Sequence, residues 1–121
     1  MDDSRAARTI LRRILEDAGF DVCEATDGRE ALELLRKRRD TDPFDLALLE
    51  WRLPGLPGLD LARAVRADGR FGGLRLLMVT TETEMDCVVA ALGAGVDEYA
   101  MKPFTREVIV EKLALLGLLV P

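Results

Sequence analysis

The sequence predicts a doubly wound α/β domain, a parallel sheet covered by helices on both faces. Helical and strand-like segments alternate along the chain. The strand-like segments are continuous aliphatic runs, not the polar/apolar alternation of a half-exposed sheet. The intervening helices are long enough to serve as crossovers between parallel strands. At 121 residues, 49% of them hydrophobic, the chain fits one domain with a core that needs no disulfide or metal staple.

The elements follow in order. Ala7, Ile10, Leu11, Ile14, Leu15 and Ala18 keep helical spacing, and Gly19 stops that helix. A short strand is expected over 21–25, followed by the turn-like Thr26-Asp27-Gly28. Ala31, Leu32, Leu34 and Leu35 mark a second helix ending in the basic run 36–39, where cations suit a helix C-terminus. A buried strand over 45–50 ends in Glu50, and a loop with two prolines and two glycines leads to a helix over 59–67. A strand over 74–79 is followed by Thr80-Thr81, a helix over 85–94 ends at Gly95, and a short strand covers 98–101. Lys102-Pro103-Phe104 leads into a last helix over 105–116. No repeat, linker or low-complexity segment interrupts this pattern.

Composition removes several function classes. A net charge of −5 argues against unaided binding to nucleic acid or an anionic membrane. No apolar run approaches the roughly 18 residues of a membrane span, and no signal-peptide pattern opens the chain. With no histidine, histidine-based catalysis, most transition-metal sites and a phosphohistidine role are excluded. Cys23 and Cys87 have neither metal-type nor redox-type spacing and read as small core residues in a reducing cytoplasm.

In an open parallel sheet, functional groups gather beyond the C-terminal strand ends. Glu50, Thr80 and Lys102 end successive strands, and Asp2 and Asp3 stand before the first helix. Singly, each has an ordinary reading; Asp2-Asp3-Ser4 in particular suits helix capping. Together, clustered carboxylates call for a hard cation, a lysine or a proton. Mg²⁺ held by carboxylates beside a lysine and a hydroxyl is a phosphoryl-binding arrangement.

The segments "DDSRAARTILRRILEDAGF", "EATDGREAL", "LLEWRLPGLPGLDL", "LLMVTTETE" and "GAGVDEYAMKPFTREVIVEKL" resemble, in order and spacing, a response-regulator receiver domain of the single-domain CheY type. The resemblance runs from Asp2 to the end and makes 1–121 one receiver domain. It implies a flavodoxin-like fold with sheet order 2-1-3-4-5. It also implies roles: Asp2 and Asp3 as the acidic pair for Mg²⁺, the Arg52 backbone carbonyl as a further ligand, Thr80 as switch hydroxyl, Tyr99 as aromatic switch, and Lys102 as partner of the acceptor. Glu50 falls on the aspartate that accepts the phosphoryl group, and so beside the metal.

Two departures limit the carry-over. Phosphoryl transfer depends on in-line placement, and an error of about 1 Å can cost about 10²-fold. Glu50 extends the carboxylate by one methylene, so the chain is expected not to be phosphorylated there. The extension could instead bring the carboxylate toward Lys102 and Thr80, mimicking part of the phosphorylated state; an inert site is the competing reading. Pro57, where the family usually has an acidic or polar residue, is a smaller departure that stiffens the loop.

The second departure lies before Asp2, where only Met1 stands in place of the family's first, central strand. Four or five buried aliphatic residues at ~1.5–3 kcal/mol each give roughly 6–15 kcal/mol, as much as a domain's net stability. Either the strand is encoded upstream of a start placed too far downstream, or the gap is closed by the flanking strands, by the apolar tail "LLGLLVP", or, as the preferred rescue, by a partner copy in a strand-swapped or intertwined homodimer. Without the tether of that strand, Mg²⁺ affinity is expected to be weak. The functional expectation is therefore a cytoplasmic two-component signalling module, not an enzyme. It would contact a histidine kinase or phosphotransfer protein and a downstream target through the face around 85–94, Tyr99 and the last helix. The alternative is a phosphorylatable response regulator using Mg²⁺ and a histidine kinase. A flavodoxin-like cofactor binder is disfavoured because the loop at Asp2 is acidic, not a phosphate cradle.

Overall fold

The computed structural model describes residues 1–82 and 84–119. The elements run α1 (Arg5–Asp17), α2 (Gly28–Arg38), β1 (Leu46–Leu49), α3 (Gly58–Ala67), a single 3₁₀ turn (Gly69–Phe71), β2 (Arg75–Thr80), α4 (Met85–Gly93), β3 (Glu98–Met101) and α5 (Arg106–Leu115). The three strands form one parallel sheet in the order β1-β2-β3, with Leu49 opposite Met78 and Met78 opposite Tyr99.

Strand alternation divides the core into two halves. Ala47, Leu49, Leu76 and Met78 face α2, α3 and α4, where Ala31, Leu35, Leu61, Ala62, Val65 and Ala91 are buried. Leu48, Leu77, Val79 and Ala100 face α1 and α5, against Leu11, Ile14, Leu15, Ile109 and Leu113. Both faces of β1 and of β2 beyond Arg75 are thus apolar and covered, which is why these two strands read as unbroken aliphatic runs. Local signals set the helix ends. Ser4 accepts the Ala7 N–H, Asp27 those of Arg29 and Glu30, and Thr105 that of Val108.

Three expectations are corrected. The segment 21–25 forms no strand. A ladder needs a run of hydrogen bonds to a neighbour, and among the described residues the segment's backbone link toward β1 is the Asp2 N–H donating to the Ala25 carbonyl at 3.1 Å. Cys23 is exposed and Cys87 half-buried, so neither is a core residue. The tail does not enter the sheet: Leu118 and Leu119 pack on the α1/α5 half of the core, and Val120 and Pro121 lie outside the described residues. No helix among the described residues is long and apolar enough to cross a membrane.

Candidate functional site

The site gathers at the C-terminal edge of the sheet. Glu50 directly follows β1, and its N–H donates to the Met1 carbonyl at 3.2 Å. The Pro/Gly loop then folds back sharply, and Gly58 N–H reaches the Trp51 carbonyl at 3.0 Å. Only glycine fits at that closure, since a Cβ on Gly58 would stand 2.1 Å from the Glu50 carbonyl oxygen. Glu50 is thereby fixed by its backbone, and only 6% of its surface is exposed.

Thr80 ends β2 and is wholly buried. Its hydroxyl donates to Glu50 Oε1 and accepts the Glu82 N–H at 3.3 Å. Lys102 stands one residue past β3, its own N–H held by the Thr80 carbonyl at 2.8 Å, and the following bond to Pro103 is cis. The Lys102 ammonium is 2.6 Å from Asp2 Oδ2 and 2.8 Å from Glu50 Oε2, the Asp2 bond being the better aligned of the two. Burial works against that ammonium, but hydrogen bonds to Asp2 and Glu50, with their charges, outweigh it and raise the Lys102 pKa above the ordinary lysine value.

Asp2 is buried and serves two purposes. Its Oδ1 accepts the Ser4 N–H at 2.8 Å, which organises the start of α1, while Oδ2 faces Lys102. The helix-capping reading and the site reading of this acid are therefore both realised. Asp3, by contrast, is exposed and makes no side-chain hydrogen bond or ion pair among the described residues. Arg52 enters through its side chain: its exposed guanidinium is 2.5 Å from Glu82 Oε1. Tyr99 is turned inward, and its hydroxyl donates to the Glu82 carbonyl at 2.6 Å. Burial, together with the nearby negative charges of Cys87, Glu82 and Glu50, pushes the Tyr99 pKa up to about 12.

The structure thus brings Asp2, Glu50, Thr80 and Lys102 together, with Tyr99 and Arg52 joined to one another through Glu82. Glu82 was missed in the sequence. It lies in a loop after β2, where neither periodicity nor spacing marks a residue whose backbone and side chain are both engaged.

The carboxylate oxygens are of the hard type that Mg²⁺ prefers. In this arrangement a divalent cation does not fit. Lys102 already bridges the two buried carboxylates, and no group of three or more metal-ligating side chains is assembled among the described residues.

Known proteins resemble the chain over nearly its whole length. The family model for the response regulator receiver domain matches residues 1–114. The chain is 43% identical over 114 residues to the chemotaxis protein CheY of Pseudomonas aeruginosa, covering 93% of this chain and 89% of that protein. It is also 43% identical to the chemotaxis protein CheY1 of Helicobacter pylori, covering 93% and 90%. Among solved structures, the chemotaxis response regulator CheY4 of Vibrio cholerae superposes with a TM-score of 0.85 at 32% identity, covering 95% of this chain and 92% of that one. A response regulator from Chloroflexus aurantiacus gives a TM-score of 0.86 at 29% identity, covering 96% and 92%.

Proposed function

Since the chain belongs to the response regulator receiver family and has its flavodoxin-like, CheY-like fold, we propose that it is a two-component signalling module held in one fixed state by Glu50. The observation that carries this reading is the engagement of Glu50 on both sides. Thr80 donates to one carboxylate oxygen and Lys102 neutralises the other. A carboxylate so occupied is poorly placed for in-line attack on phosphorus. The same contacts would hold Thr80 and Lys102 as a phosphoryl group would. A carboxylate supplies less charge and fewer oxygens than phosphate, so the mimicry is partial. Mg²⁺ would fit only after Lys102 had left both carboxylates.

The output is a protein contact. Met85, Val89, Leu92 and Met101 are exposed apolar side chains on α4 and the end of β3, beside the inward Tyr99. Such a patch suits an apolar segment of a target protein. The upstream partner would be a histidine kinase or phosphotransfer protein that docks without transferring phosphate, and the setting would be chemotaxis-like signalling.

The test is labelling by acetyl phosphate with Mg²⁺, read by intact mass. The unmodified chain should stay unlabelled; labelling that disappears in Glu50→Ala would overturn the reading. Mimicry is checked separately by NMR of Glu50→Ala. Unchanged Tyr99 ring and Glu82 amide signals would mean that Glu50 sets no state.

A further inference from the structure

Glu82 is gripped at three points by residues from three different parts of the chain. The Thr80 hydroxyl, at the end of β2, accepts its N–H at 3.3 Å, and the Tyr99 hydroxyl, on β3, donates to its carbonyl at 2.6 Å. Its carboxylate is held by Arg52 from the loop after β1, with Nε 2.5 Å from Oε1.

The rest of this loop is weakly anchored. Thr81 and Glu84 are exposed, and Glu84, which opens α4, makes no side-chain capping bond. α4 itself fully buries Ala91 alone. The 3.3 Å bond to Thr80 is longer than a usual N–H···O bond. The Arg52 contact is therefore the short, charged restraint on Glu82 among the described residues.

Tyr99 depends on that restraint. It is 8% exposed, and a buried phenol needs a hydrogen-bond partner. The partner is the Glu82 carbonyl, so a loop that drifts leaves the hydroxyl unsatisfied among apolar neighbours. Turning the ring outward, where water satisfies the hydroxyl, then becomes favourable.

We propose that Arg52 is a positioning residue for Tyr99: by clamping the Glu82 carboxylate it keeps the Glu82 carbonyl in place and the phenol ring inward. The clamp is electrostatic and sits at the surface. The Arg52 side chain is 78% exposed and that of Glu82 21%. An ion pair so open to water shifts an equilibrium by about two- to fivefold and weakens with salt. Arg52 follows Glu50 by two residues, so the loop after β1 reaches Tyr99 by a second route that bypasses Thr80. Tyr99 is thereby made responsive to ionic strength without any change at Glu50. This role stands on the geometry around Glu82 and holds whether or not Glu50 accepts a phosphoryl group.

Tyr99 is the sole tyrosine of the chain, so incorporated fluorotyrosine places a single fluorine NMR reporter on this ring. In Arg52→Ala the outward-to-inward ratio should rise by about two- to fivefold. Arg52→Glu, which sets like charges together, should raise it further. Arg52→Lys should restore most of the inward signal, which a loss of packing alone would not predict. Sodium chloride at about 1 M should move the unmodified chain toward the Arg52→Ala spectrum and leave that variant in place. Because the side chain is exposed, every variant should fold, which circular dichroism checks. An unchanged fluorine signal in both Arg52→Ala and Arg52→Glu overturns the proposal. So does an Arg52→Lys spectrum that matches Arg52→Ala, or a salt response of the alanine variant as large as that of the unmodified chain.

Discussion

The ammonium of Lys102 lies 2.8 Å from Glu50 Oε2, although the two residues come from different strand ends. It also holds Asp2 at 2.6 Å, so one cation is shared by two buried acids. The energetic consequences of that sharing are direct.

Replacing Lys102 by methionine should destabilise the chain severely, because both carboxylates would remain buried without a partner. Loss of one member of a buried ion pair typically costs about 3–5 kcal/mol, and the lower end is expected here because Lys102 is partly exposed. Urea denaturation at neutral pH would measure it.

Alkaline titration should show two losses of stability. The folded pKa of Lys102 lies above its ordinary value of 10.5, so its contribution is complete below that pH and fades as pH rises through the folded value. The Tyr99 pKa is likewise raised, from 10.0 to about 12, so the folded state favours the neutral phenol and stability falls across that window. Phenolate absorbance against pH should place Tyr99 well above a free tyrosine; an ordinary titration would contradict the inward, buried placement.

Gly58→Ala should lower stability by about 1–3 kcal/mol, the usual range for forcing atoms into a packed site. The inserted Cβ would overlap the Glu50 carbonyl at 2.1 Å, so the Glu50 backbone must shift. Thermal denaturation would give the loss, and chemical shifts of Thr80 should move with it.

Tyr99→Phe removes the 2.6 Å bond to the Glu82 carbonyl and should cost about 0.5–1.5 kcal/mol. Faster amide exchange around Glu82, with little change at Leu77, would show that the effect stays in the loop.

Much of this was legible in the sequence. Gly19, Gly95 and the aliphatic runs at 46–49 and 75–80 marked the alternating elements, and the strand-end rule alone gathered Glu50, Thr80 and Lys102. The segment 21–25 was misread because its composition suits a strand, whereas a strand exists only when a neighbour supplies hydrogen bonds. Asp2 and Asp3 were assigned to the site together, through the resemblance to receiver domains. The chain turns into α1 just after them, burying Asp2 and leaving Asp3 in solvent. Glu82 could not be found at all, since its contacts are made largely by backbone.

The Lys102–Asp2 contact joins residues 100 positions apart. During folding, β1 and the first turn can bring two acids together long before β3 has docked, and until then they repel. Seating β3 removes that repulsion, so the last strand should be drawn into place by charge as well as by apolar burial. A chain emerging from the ribosome would carry an uncompensated acid pair until its final third is made, and the completed domain would be distinguished from its unfinished forms by that single lysine.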